Sequence, residues 1–439
     1  MADLLALSAR IIDDGRADEP VNRVTQELSE VADGVAMIES FSHVVILSTD
    51  DGLVCFDASG AAAAPKVIES LRAWSDAPVR SLVYTHGHID HIGGSGAFVA
   101  DARAHGRPDP TVIAHENVPV RMDRYDRTNG YNVTINRRQF GGVRNLDVNM
   151  GFTGAGAGAG PVDRFLAPDA ARPDVTFADR LTTQVGGLDI EMRHAKGETD
   201  DHLWAWIPER KALCTGDFLI WNFPNAGNPQ KVQRYPVEWA QAMREMAAMG
   251  AELLLPAHGL PIAGRDRIAT VLGDVATALE TLVADVLEMM NAGEPLDAIV
   301  HSVTVDPDLL AKPYLRPLYD EPEFIVHNVW RLYGGWYDGN PAHLKPAPQS
   351  ALAAEVASLA GGSAALAARA RELADAGDWR LACEIVEMAA AADPHDIEAH
   401  RARADIYAER RKVETSLMAK GIYGAAARES AALAGPEGG

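Results

Sequence analysis

Three histidines and an aspartate fall within six residues, in the run Thr85-His86-Gly87-His88-Ile89-Asp90-His91-Ile92-Gly93-Gly94. No other stretch of the 439 residues constrains the fold as tightly. The apolar run Val79 to Tyr84 comes straight before it and reads as a strand. In an extended segment residues i and i+2 point to one side, so His86 and His88 can grip one metal ion together. Asp90 and His91 follow where the chain turns and can reach a second ion. Gly93 and Gly94 let the backbone bend just beyond. A solvated polar turn is the competing reading. It leaves the clustering of scarce histidines unexplained, and clustered His and Asp are the usual donors of metal sites.

Further donors stand at the ends of other strand-like runs. Asp57 closes Leu53-Val54-Cys55-Phe56, Asp217 closes Ala212-Leu213-Cys214-Thr215-Gly216, and His258 follows Leu253-Leu254-Leu255-Pro256-Ala257. The C-terminal ends of strands are where α/β architectures gather their chemistry. Singly, Asp217 or His258 reads as a surface loop residue; as an ordered set they do not.

In this order the residues resemble the metallo-β-lactamase superfamily, whose motif is HxHxDH. The resemblance implies an α/β fold, the αββα sandwich, with Asp57 orienting the metal-binding loop. A glutamate, Glu198, stands in Lys196-Gly197-Glu198-Thr199-Asp200-Asp201-His202 where that superfamily usually has histidine. That replacement is similar to the zinc-dependent alkylsulfatases. The stretches Glu321 to Phe324, Tyr333 to Ala342 and Ala376 to Ala382 resemble the alkylsulfatase dimerisation domain. The resemblance thus implies two Zn2+, one on His86, His88 and Glu198 and one on Asp90, His91 and His258, with Asp217 bridging. Asp217 is a departure, because the family usually has glutamate there. Four neutral histidines and three carboxylates leave two Zn2+ about one unit positive, which suits an anionic ester. The implied reaction is cleavage of an alkyl sulfate to alcohol and sulfate by a metal-bound hydroxide. The alternative keeps the site and changes the substrate to a lactone, thioester or carboxylic ester. A non-catalytic scaffold would have little need of all seven ligands.

Other site residues are open on sequence alone. His202 is a candidate proton donor or a support for a ligand, and Tyr235 is a further candidate. Arg137 and Arg138, with Tyr131 and Asn132, lie where alkylsulfatases carry a substrate-side insertion; a surface arginine pair is the bland reading. Trp221 and Phe223 read as core or pocket wall. The Arg-Gly element and histidine of the family in this region are missing here.

The domain plan expected is an arm over 1–34, a catalytic domain over 35–265, a helical dimerisation domain over 266–425 and a loose tail over 426–439. Residues 115–165 read as irregular, with a Gly- and Ala-rich stretch from Gly151 to Gly160. A net charge of −22 argues against nucleic acid, whose backbone calls for a basic surface. Three scattered cysteines suit a reducing compartment, the start is a poor signal peptide, and no apolar run approaches the ~20 residues of a membrane helix. The expectation is a cytoplasmic homodimer acting on a small anionic ester, with no membrane partner.

Overall fold

The computed structural model describes residues 3–140 and 163–435, which form two compact units. Two sheets make the heart of the first. One has seven strands in sequential order: β1 (Leu28–Ala32), β2 (Val35–Ile38), β3 (Val44–Thr49), β4 (Gly52–Phe56), β5 (Val79–Val83), β6 (Thr111–His115) and β7 (Val175–Phe177). The first four are an antiparallel meander; β4 to β7 run parallel. The parallel links need crossovers, and helix Ala64–Trp74 supplies the one between β4 and β5.

The second sheet has six strands: β8 (Arg180–Val185), β9 (Leu188–His194), β10 (Leu203–Ile207), β11 (Ala212–Gly216), β12 (Leu253–Pro256) and β13 (Ile262–Ala263). β11 and β12 are its parallel pair. Strand alternation decides the layering. Val35, Met37, Val45, Leu47, Val54 and Phe56 enter a core shared with Ile190, Met192 and Leu203 of the second sheet. Ala36, Ile38, Ile46 and Cys55 point the other way and pack with Val67, Leu71 and Phe98 of the covering helices. Trp239 and Met243 of helix Pro236–Ala248 and Val271, Leu272 and Leu279 of helix Arg265–Asn291 belong to the first of these cores. The result is an α/β/β/α sandwich.

Several expectations are corrected. Residues 1–34 are not an arm: Asp3 caps helix Leu4–Asp14, whose Leu4, Leu7 and Ile11 are buried in the core, and β1 is a sheet edge. Residues 117–140 are not irregular but form helices Asn117–Arg127 and Asn129–Phe140. The stretch Gly151 to Gly160 lies outside the described residues. The first unit runs on to Tyr333, because helix Arg265–Asn291 buries a continuous apolar stripe in its core. The second unit, from Gly334 and with residues 135–140, has its own core of Ala370, Ala382, Val386, Ala399 and Ile406 on helices Ser363–Asp375, Trp379–Ala392 and Ile397–Val413. Residues 426–434 are no tail; they finish helix Leu417–Ala434, with Ser430 and Ala434 buried. No single helix among the described residues is long and apolar enough to cross a membrane.

Candidate metal centre

The chain leaves β4 through Asp57, which sits at φ +61, a left-handed conformation that aspartate tolerates better than most residues. Its buried carboxylate accepts from the Thr85 N–H, from the Thr85 hydroxyl and from His91 Nδ1, each at 2.8 Å. Three bonds from one side chain tie the end of β4 to the histidine loop after β5. They also turn His91 so that its Nε2 is free. The loop closes against β4 so tightly that a Cβ at Gly94 would lie 2.1 Å from the Ala58 carbonyl oxygen. Glycine is required there for close approach.

Glu198 comes from the loop between β9 and β10, Asp217 from the end of β11 and His258 from just after β12. Donor atoms gather into two pockets: His86, His88, Glu198 and Asp217 in one, Asp90, His91 and His258 in the other. In the first, His86 Nε2 is 2.9 Å from His88 Nδ1 and 3.8 Å from Asp217 Oδ2, and His88 Nδ1 is 3.3 Å from Glu198 Oε1. In the second, His91 Nε2 and His258 Nε2 each lie 3.5 Å from Asp90 Oδ2. Both also lie 3.4 Å from Asp217 Oδ1. Asp217 therefore offers one oxygen to each pocket. Ligands about 2.0–2.1 Å from a tetrahedral ion sit about 3.3 Å from one another, so these spacings fit an ion in each pocket. Among the described residues, His91 Nε2 and Asp217 Oδ1 are buried with no hydrogen-bond partner. Buried polar atoms are seldom left so, and a cation would satisfy both.

Electrostatics follow the same division. Burial works to raise Asp217, but His258 and His91 beside it hold its carboxyl well below the usual range. Against the cost of burial, Asp217 and Asp90 push His258 up to about 10 and, with Asp57, lift His91 well above its ordinary value. Burial and neighbouring cationic groups drive His86 and His88 well below theirs. Burial raises Glu198 to about 8 despite Arg234.

Arg234 is one of several groups the sequence reading did not single out as site residues. Its buried guanidinium pairs with Glu198 Oε1 and donates to the Glu198 carbonyl, both at 2.7 Å, while Asn225 Nδ2 donates to the same carboxylate at 2.5 Å. On the far side of the Glu198 loop, buried Arg121 pairs with Asp200 and Asp201. Arg234 is itself held at both ends of its peptide unit. Asn328 Oδ1 accepts from its N–H at 3.2 Å, and Asn328 Nδ2 donates to its carbonyl at 3.0 Å. Asp320 accepts from the Gly227 N–H at 2.6 Å, fixing the loop that bears Asn225. A run of buried asparagines, Asn222, Asn225 and Asn228, amid apolar neighbours was the available signal.

His202 lies behind Asp217. Its Nε2 accepts from the Asp217 N–H at 3.1 Å, which places its proton on Nδ1, and its ring stacks on Phe218. Burial pushes its pKa down to about 3. Tyr235 heads helix Pro236–Ala248 with the Lys196 ammonium 5.1 Å from its ring centre. Tyr131 is 64% exposed, and Asn132 spends its amide on Thr128, the residue between helices Asn117–Arg127 and Asn129–Phe140. Arg137 and Arg138 are exposed near the end of helix Asn129–Phe140, in the part that groups with the second unit. Trp221 and Phe223 are core.

The profile of the metallo-beta-lactamase superfamily matches residues 38–258, and that of the alkyl sulfatase dimerisation family matches residues 296–432. A linear primary-alkylsulfatase from Pseudomonas sp. is 28% identical over 365 residues, covering 82% of this chain and 67% of the relative. An (R)-specific secondary-alkylsulfatase from Pseudomonas sp. is 27% identical over 390 residues, covering 83% of this chain but 56% of its own length. Among solved structures, a stereoselective inverting sec-alkylsulfatase from Pseudomonas sp. superposes with a TM-score of 0.81 at 22% identity, over 96% of this chain and 70% of that one.

Proposed function

This chain belongs to the metallo-beta-lactamase superfamily, and from that premise we propose that it is a binuclear zinc hydrolase of alkyl sulfate esters, releasing alcohol and sulfate. The observation that carries the reading is the pair of donor pockets sharing Asp217, with a glutamate in the first pocket clamped by Arg234. The alkylsulfatases among its relatives support the sulfate ester as substrate. His86, His88 and Glu198 would hold one ion, Asp90, His91 and His258 the other, and Asp217 would bridge. When bound, such ions supply Lewis acidity to the ester oxygens and bring the pKa of a water towards neutrality.

The protein's own groups keep this arrangement in register. Asp57 fixes the ring orientation of His91, and His202 orients Asp217 through its backbone N–H. Arg234 and Asn225 aim Glu198, and the Arg234 guanidinium would offset the charge that its carboxylate takes on when it ligates, a charge that a histidine in its place would not have. A buried His202 kept neutral is a support rather than a proton donor at neutral pH. Tyr235 borders the Glu198 loop through the bond from its N–H to the Gly197 carbonyl. Tyr131, Asn132, Arg137 and Arg138 stay as proposed contacts on the substrate side.

The molecule acts as a homodimer through its helical region. That region exposes Trp336, Leu344, Leu352 and Leu359, the last at 89%, and it lies within the dimerisation match. The test of the function is inorganic sulfate release from short and long alkyl sulfates, with lactones and carboxylic esters alongside. Sulfate release abolished by a chelator is the expected result. Chelator-sensitive turnover of another ester without sulfate would overturn the substrate assignment and keep the metal centre.

A further inference from the structure

The loop between β2 and β3, residues 39–43, reaches both histidines of the second pocket. Ser42 Oγ lies 3.1 Å from His91 Nδ1, and the Phe41 ring stands edge-on to the His258 ring with centres 5.5 Å apart. His43 makes the closest hold. Its N–H donates to the Ala257 carbonyl at 2.7 Å, and its Nε2 lies 2.9 Å from the Gly259 carbonyl oxygen. These two carbonyls flank His258. A carbonyl oxygen only accepts, so Nε2 carries the ring proton. Burial pushes the His43 pKa down to about 3, which keeps the ring neutral, with that one donor spent on Gly259. Packing alone would be served by an apolar side chain; the ring adds the donor. The loop is itself anchored. Glu39 accepts from Arg23 Nε at 2.5 Å and from the Thr25 hydroxyl at 3.0 Å, and the Ser40 and Ser59 hydroxyls are 2.7 Å apart. On its other side the His258 turn is pinned by Trp221. The indole N–H donates to the Leu260 carbonyl at 2.8 Å, and a Cβ at Gly259 would lie 2.2 Å from the indole Cδ1.

We infer that His43 is a positioning residue for the second pocket: by holding the peptides on both sides of His258 it sets where His258 Nε2 stands against Asp90 and Asp217, with Phe41 fixing the plane of the ring. The inference rests on the metal-centre reading above. Its logic is that of any partner that orients a ligating histidine, applied through the backbone instead of through the ring. The first pocket is held from another segment, by Arg234 and Asn225 on Glu198. Loosening His43 therefore acts on one pocket and spares the other.

The experiment follows zinc uptake by the full-length protein in competition with a chelator, for wild type, His43→Leu, His43→Gln and Phe41→Leu. Absorption of the cobalt-loaded forms is read alongside, and Glu198→Ala identifies which step belongs to the first pocket. His43→Leu keeps bulk and removes the donor. Its second-pocket step should weaken on the order of 10-fold, its first-pocket step should hold, and the cobalt bands of the second pocket should shift. His43→Gln, whose amide N–H can reach the Gly259 carbonyl, should recover most of both. A side chain that only filled the core would lower the melting temperature without separating the two steps, and glutamine would not rescue it. Phe41→Leu, at a half-buried position, should weaken the same step and decides the matter if His43→Leu does not fold. A second-pocket step at wild-type affinity in His43→Leu, or in Phe41→Leu where that variant stands in, overturns the inference and leaves the metal centre intact. Fewer than two ions on the wild type overturns the metal-centre reading, and the inference with it.

Discussion

Replacing Asp57 by alanine should empty the Asp90, His91 and His258 pocket before the other. Three donors lose their acceptor at once: the Thr85 N–H, the Thr85 hydroxyl and His91 Nδ1–H. They are not equally exposed to the loss. While the pockets hold no metal the Thr85 hydroxyl can turn to His86 Nδ1, 3.2 Å away, and Ser42 Oγ stands 3.1 Å from His91 Nδ1; a ligating His86 Nε2 would put the proton on Nδ1 and close the first of these routes. In the metal-free protein only the Thr85 N–H is left with no ready substitute. An orphaned buried donor costs about 1–3 kcal/mol, so stability should fall by about that much. Metal affinity should suffer more selectively, because loss of a partner that orients a ligating histidine typically costs roughly 10- to 100-fold. The assay is competitive zinc titration against a chelator. The expected result is two separated steps, with one weakened and the other nearly unmoved. Adding Ser42→Ala to Asp57→Ala should weaken the same step further, since the substitute acceptor is gone. Two steps at wild-type affinity in Asp57→Ala would refute the argument that Asp57 sets the orientation of His91.

Glu198→Ala should lose the ion of the first pocket and all turnover; full activity with one equivalent of metal would sink the ligand assignment. Gly94→Ala brings a Cβ to 2.1 Å from a backbone oxygen and should destabilise by roughly 1–3 kcal/mol, read by denaturant unfolding. Asn328→Ala frees both ends of the Arg234 peptide unit; a loosened Glu198 should show as altered absorption of the cobalt-substituted first pocket, and an unchanged spectrum would exclude the coupling. His258 carries a pKa raised to about 10 in the metal-free protein, against about 6.5 when unfolded. Its contribution to stability is therefore full below about pH 6.5 and is lost as pH rises through about 10. Metal-free protein should melt lower across that window, whereas zinc, which displaces the proton, should reverse the trend.

The candidate metal donors and Asp57 could be picked out in the sequence because each obeys a local rule. Strands of alternating or continuous apolar residues end in Asp57, His86, Asp217 and His258, and the chain order of those ends is itself a pattern. The supports were hidden because their partners are remote in sequence. Helix Asn117–Arg127 has a helical stripe of Val118, Arg121, Met122 and Tyr125. An arginine in a buried position breaks the apolar period unless one knows that Asp200 and Asp201 lie opposite. Asn328 and Asp320 are likewise polar interruptions of a buried segment, explained only by Arg234 and Gly227 nearly a hundred residues earlier. The N-terminal helix went unread for a different reason. Leu4, Leu7 and Ile11 make a short stripe that identifies a helix but says nothing about what receives it.

Asn328 lies seventy residues beyond His258, the last candidate metal donor, and within the stretch matched by the dimerisation family, yet it belongs to the first compact unit. The border drawn by sequence families and the border drawn by packing do not coincide. Anyone shortening this protein to an independent catalyst would be misled by the first. A cut after His258 keeps every donor and discards the grip on the loop between β11 and helix Pro236–Ala248. A useful fragment has to reach past Asn328, and an exchange of the dimerisation-family stretch alone would have to restore that grip.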